Sequence, residues 1–108
     1  MSDRELLEYA AKAAGIDWDA QMDNGTIVIA AEAPIFWNPL TNDGAALRLA
    51  VKLHINIEIW DTDNLIRTNI YIKNLGHGNF QERYTTDPLA ATRRAIVRAA
   101  AEIGRNMP

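Results

Sequence analysis

The sequence predicts an α+β fold, three helices packed on a three- to four-stranded, mainly antiparallel sheet, in a single globular domain of residues 1–108. Three observations predict it. Apolar residues recur at helical spacing near the start, in the middle and at the end of the chain. Between the second and third of these segments stand two alternating runs, HINIEIW and IRTNIYIK, joined by the polar turn DTDN. Strands joined that tightly pair antiparallel, which argues against a doubly wound parallel sheet. A chain of 108 residues is one domain long and can bury a core without a staple.

The first helix is expected from about Asp3 to Ala14. Ser2 is a good N-cap, and Glu5 three residues on completes a capping box. Leu6, Leu7, Ala10, Ala13 and Ala14 form its apolar face, and Gly15 supplies the stop. QMDNG then reads as a turn and TIVIAA, from Thr26 to Ala31, as a buried strand. Asn24-Gly25 suits a hairpin back to Asp17–Ala20, and Pro34 ends the strand region.

WNPLTNDGAALRLAVKL follows. Thr41, Asn42 and Asp43 are all candidate N-caps for a helix that begins near Gly44. That helix is apolar almost all round, with Arg48 and Lys52 as its only polar stripe, so it is expected to be largely buried. TNDG is then helix punctuation, with Trp37 and Leu40 placed to pack over the helix start.

In the alternating runs, Ile55, Ile57, Ile59, Ile66, Thr68, Ile70 and Ile72 face the core. Pairing Trp60 with Leu65 closes the turn and sets Glu58 opposite Arg67, Asn56 opposite Asn69 and His54 opposite Tyr71. NLGHGNF reads as a glycine loop, and FQERYTT as a further strand with Phe80, Glu82 and Tyr84 on one face. The last helix is capped by Asp87 or Thr86, has Pro88 at its first position, and stops at Gly104. Its apolar face is Leu89, Thr92, Ile96, Ala99, Ala100 and Ile103; Arg94, Arg98 and Glu102 lie opposite.

Three blocks, ELLEYAAKAAGI, WNPLTNDGAALRLAVKL and DPLAATRRAIVRAAAEIG, resemble the phage ABA-sandwich family of small phage and prophage proteins. They cover rather less than half of the chain but anchor it from end to end, and the Trp-Asn-Pro-Leu block with its helix is the most specific. The resemblance implies helices on both sides of the sheet, an α-β-α sandwich, and a phage or prophage product at work in a bacterial cytoplasm. It carries no activity, substrate, cofactor or catalytic residue over to this chain.

Composition excludes several functions. There is no cysteine, which removes disulfides, thiolate metal sites and cysteine nucleophiles. No apolar run is long enough to span a membrane. MSDRELLEYAAKAAG is acidic and lacks the basic start and apolar core of a signal peptide, so a cytoplasmic location is expected. The net charge of −3 weighs against a dedicated duplex-DNA binder. Charge is uneven, with an acidic start and an arginine-rich last helix whose attraction would act within one fold or between subunits.

Catalytic chemistry finds no pattern. His54 and His77, with Asp43, Glu58 or Asp61 as carboxylates, lack the spacing of a metal or acid–base motif, and LGHGNF leads into a strand and not into a phosphate-binding helix N-terminus. No catalytic residue, metal or cofactor is expected. The most informative surface is the polar hairpin face with Trp60, Arg67, Asn69, Tyr71 and Lys73, and Arg83 beside it. The leading expectation is a non-enzymatic module that binds an unidentified protein, or a second copy of itself, through this face or a free sheet edge. The alternative is single-stranded nucleic acid bound on the same face, bases stacking on rings and cations following phosphates. An enzyme ranks last.

Overall fold

A computed structural model describes residues 1–16, 21–23, 26–28 and 36–108, with residues 21–23, 26–28 and 36 described by their backbone alone. The elements run α1 (Asp3–Ala14), β1 (Gln21–Asp23), β2 (Thr26–Val28), β3 (Phe36–Trp37), α2 (Asp43–Leu53), β4 (Asn56–Trp60), β5 (Leu65–Ile72), β6 (Gly76–Arg83) and α3 (Pro88–Arg105). The fold is α+β. β1, β2 and β3 form one three-stranded antiparallel sheet and β4, β5 and β6 a second, each in chain order.

Local chemistry explains the helix ends. The Ser2 hydroxyl accepts from the Glu5 amide at 3.2 Å while the Ser2 amide donates to the Glu5 carboxylate, so the capping box is present. Gly15 closes α1 in the left-handed conformation that costs glycine nothing. Of the three candidate caps for α2, Asn42 takes the role, its Oδ1 accepting from the Ala45 amide at 2.8 Å. Asp87 does the same for α3, accepting from Ala90, with Pro88 behind it.

The hairpin register agrees with the alternation in sequence: Trp60 pairs with Leu65, Glu58 with Arg67, and Asn56 with Asn69. His54 does not join it. It caps α2 at φ 57°, and β4 starts two residues later. The glycine stretch read as a loop is the first half of β6, where His77 pairs with Tyr71 and Gly78 with Ile70. Gln21–Asp23, read as part of a turn, is a strand that pairs with β2, so the hairpin runs back to those residues; Asp17–Ala20 and Pro34 lie outside the described residues.

The core gathers on one side of the second sheet. α3 lies against β5 and β6, and α1 and α2 pack on α3. Ile66, Thr68 and Ile70 point into this layer, where the fully buried Thr68 hydroxyl donates to the Ala95 carbonyl of α3 at 2.8 Å. α3, and not α2, is the most enclosed helix. It buries Ala91, Ala95, Ile96, Val97, Ala99, Ala100, Ala101 and Gly104. Gly104 does not stop it: the helix runs one residue further, and a Cβ at Gly104 would come within 1.9 Å of the Tyr9 carbonyl oxygen of α1. Close approach of α1 and α3 is therefore what this glycine permits. The other face of the second sheet carries no helix among the described residues, so the two-sided cover implied by the family resemblance is absent there.

The arginines of α3 are consumed within the fold. Arg94 pairs with Asp3 at 3.0 Å and reaches Glu82 at 3.6 Å, while Arg98 pairs with Glu82, lies over the Phe80 ring and donates to the Gln81 carbonyl. Acidic start and basic end thus meet inside one chain. Arg93 bridges a different pair of elements. Its Nε donates to the Leu40 carbonyl at 2.8 Å and its Nη1 to Asp43 at 2.7 Å. Asn38 and Thr41 tighten the same turn through the Leu40 amide and the Asn38 carbonyl. TNDG is punctuation, clamped to α3 by one arginine.

Candidate functional site

The open face of the second sheet is built by strand alternation. Reading across β4, β5 and β6, it shows the rows Trp60–Leu65–Arg83, Glu58–Arg67–Gln81 and Asn56–Asn69–Asn79, then Tyr71–His77. All four strand residues singled out from sequence (Trp60, Arg67, Asn69 and Tyr71) lie on this face, and Lys73 lies in the turn after β5. The sequence reading missed His77, Asn79 and Gln81. Their strand alternates Gly76, Gly78, Phe80 and Glu82 on its inner side, and two glycines hide the apolar period.

Glu58 organises half of the face. Its carboxylate accepts from Arg67 Nη2 at 2.8 Å, from Asn69 Nδ2 at 2.6 Å and from Trp60 Nε1 at 3.2 Å. Arg67 also lies over the Trp60 ring, 5.3 Å from its centre. The Arg67 hydrogen bond, and then that of Asn69, hold the Glu58 carboxyl below its ordinary value. Three of the five expected binding residues are therefore engaged with one carboxylate. Tyr71 is 64% exposed, and its ring meets that of His77 at 5.0 Å and 52°. Lys73 has no carboxylate partner among the described residues.

A second surface was not anticipated, because α2 was expected to be buried. It buries Ala45, Ala46, Leu49 and Ala50, but leaves Leu47 60% and Val51 68% exposed. Leu47 lines a groove of about 210 Å³ with Ala46, Ile57, Leu89 and Ile96, closed at one end by Asp43 and Arg93. Leu89 opens α3 at 59% exposure, and Ile59, two residues along β4 from Ile57, is 66% exposed. Val51 stands one helical turn after Leu47 on the same side of α2. Single exposed apolar residues are ordinary, and Met1, Leu75 and Met107 are of that kind. Leu47 and Leu89 instead share one groove, with Val51 one turn along α2 and Ile59 two residues along β4 also exposed, and such grouping is what marks a contact surface. The signal in the sequence was the apolar circumference of α2, which suits an interface as well as it suits a core.

Among the described residues β4 is also an edge strand. The opposite edge is guarded: Arg98 covers the Gln81 carbonyl of β6. β4 has no proline or lysine, and among the described residues no side chain caps its outer backbone.

Among the described residues, no group of three or more His, Asp or Glu side chains could hold a metal ion. No helix of the described residues is long and apolar enough to cross a membrane. A polar depression of about 430 Å³ is lined by Phe80, Glu82, Arg94 and Arg98, where Glu82 pairs with both arginines. Comparison with protein-family models, with curated proteins and with solved structures gives no match to the chain.

Proposed function

We propose that the chain is a non-enzymatic protein-interaction module, a phage or prophage accessory protein that works in the bacterial cytoplasm. The phage origin rests on the resemblance of its three sequence blocks alone. The interaction reading rests on one observation above all: exposed Leu47 and Leu89 line an apolar groove with Ile57, and Val51 and Ile59 stand exposed further along α2 and β4. Apolar surface gathered beside an unguarded strand edge is stabilised when a second polypeptide covers it. A photo-crosslinking residue at Val51, with the same residue at Arg105 as control, tests the reading in a bacterial cell. Discrete protein adducts at position 51 alone are expected. Adducts equal at both positions, or none at position 51, would sink the reading.

The second reading, single-stranded nucleic acid on the open face, is favoured by the exposed Tyr71–His77 pair and by Lys73. The ties of Trp60, Arg67 and Asn69 to Glu58 weigh against it, since each must be released before it can meet a base or a phosphate. Amide-shift titration with a mixed-sequence oligonucleotide at low salt decides. Shifts at Tyr71, Lys73 and His77 that fade as salt rises support it, and a flat response removes it.

A further inference from the structure

We infer that the occupant of this surface is a second copy of the chain, which joins through β4 to make one continuous six-stranded sheet; the inference rests on the interaction reading above. The argument is one of register. A two-fold axis between two antiparallel β4 strands fixes the sum of paired residue numbers, and only an even sum keeps the two core faces on one side. Centring the axis on Glu58 sets the carboxylate against its own copy, like charge against like. Centring it on Ile59 sets Ile57 against Asp61, a carboxylate at an apolar position. Centring it on Ile57 removes both conflicts. Asn56 then faces Glu58 of the other copy, twice over, and Ile59, whose side chain is otherwise 66% exposed, comes beside the buried Ile55, whose amide already donates to the Ala50 carbonyl of α2.

The same pairing brings the two helical layers to one side of the joined sheet. Leu47 and Leu89, which line one groove with Ile57, then stand near the axis in each copy. An amide side chain against a carboxylate is a favourable cross-strand pair, and Asn56 is exposed with no side-chain partner among the described residues. Glu58 keeps Arg67 and Asn69 on the same carboxylate, so it is already held in place for the contact. The open face is not used up in this assembly; it doubles in width.

Sedimentation of the full chain over a wide concentration range, with isotope-filtered NOEs on a mixture of labelled and unlabelled protein, tests the inference. The mass should rise from 12.0 kDa to twice that value. Contacts between copies should link Ile57 to Ile57 and Ile55 to Ile59. Ile59→Lys replaces an exposed side chain, so it should fold and stay monomeric. Leu75→Lys, at an equally exposed site in the turn between β5 and β6, should dimerise as the parent does. A parent that stays at 12.0 kDa at several hundred micromolar overturns the inference, as does an Ile59→Lys dimer, or contacts through β6 or Tyr71 instead. Should the chain stay monomeric while position 51 still yields discrete adducts to other proteins, the second copy is refuted and the interaction reading stands. Should both fail, both fall.

Discussion

Gly104→Ala should destabilise the fold even though alanine is the better helix former. A Cβ at this position would lie 1.9 Å from the Tyr9 carbonyl oxygen and 2.7 Å from its carbonyl carbon. Real Cβ contacts essentially never fall under 3.0 Å, so α1 and α3 must part by at least 1.1 Å (3.0 − 1.9) or tilt by an equivalent amount. The obstructing atoms are helix backbone and cannot rotate aside. A radial gap of about 1 Å forfeits between a quarter and half of the dispersion well of each separated contact. Leu7, Ala10 and Ala11 of α1 and Ala100 and Ala101 of α3 are all fully or almost fully buried in the surrounding core. Overpacking costs about 1–3 kcal/mol as a rule, and a rigid obstruction belongs at the upper end. Replacing a helical glycine by alanine returns about 1 kcal/mol. The net expectation is a loss of about 2 kcal/mol, or roughly 1–2 M in urea midpoint at the slopes of small proteins. Gly78→Ala is the control, since its Cβ would meet the Ile70 side chain at an ordinary 3.6 Å. Equal or higher urea resistance in Gly104→Ala would refute the claim that this glycine sets the α1–α3 distance.

Three further outcomes are expected. Thr68→Val keeps the shape of a fully buried side chain and removes its hydrogen bond to Ala95, so urea unfolding should show a loss of about 1 kcal/mol; an unchanged midpoint would mean that the bond contributes nothing net. Glu58 has its folded pKa lowered from 4.5, so its stabilising contribution is present above that value and is lost as pH falls through the lower folded value. Urea midpoints of the parent should therefore drop more steeply than those of Glu58→Gln below pH 4.5, and parallel curves would contradict the assignment. Arg93→Lys should not restore the clamp on Leu40 and Asp43, because one ammonium cannot reproduce a two-pronged guanidinium contact. A loss of about 1–3 kcal/mol is expected, together with faster amide exchange at residues 40–43, and parent-like exchange there would count against the clamp.

Much of this architecture was legible in the residues, and the exceptions have physical causes. The β4–β5 register followed from strict period-2 alternation, which allows only one phase once a face is buried. Ser2 was legible as the cap of α1, and Asn42 and Asp87 stood among the candidates for α2 and α3, side chains that replace missing amide partners. β6 was half hidden because Gly76 and Gly78 occupy inner positions where an apolar side chain would have announced a strand. His54 continued the alternation in sequence but was claimed by the end of α2. The apolar composition of α2 was visible; that two of its leucine and valine side chains face outward was not, because periodicity cannot say which neighbour covers a face. Of the open face, the residues of β4 and β5 and Arg83 of β6 were found, and His77, Asn79 and Gln81 of β6 were missed for the same reason. Nothing local in the sequence showed that Glu58 would tie Trp60, Arg67 and Asn69 together, since that depends on three side chains meeting across two strands.

The pairing of α1 with α3 bears on how the protein is made. Lys12 donates to the carbonyl of Met107, 95 positions further along the chain, and Asp3 meets Arg94. At about 5–20 residues per second, a ribosome needs roughly 5–20 s to cover that separation. Until α3 is made, Leu6 and Leu7 lack the helix against which α1 chiefly packs. Nascent α1 therefore waits without most of its cover, and a chain cut short before α3 would lack the helix on which both α1 and α2 pack.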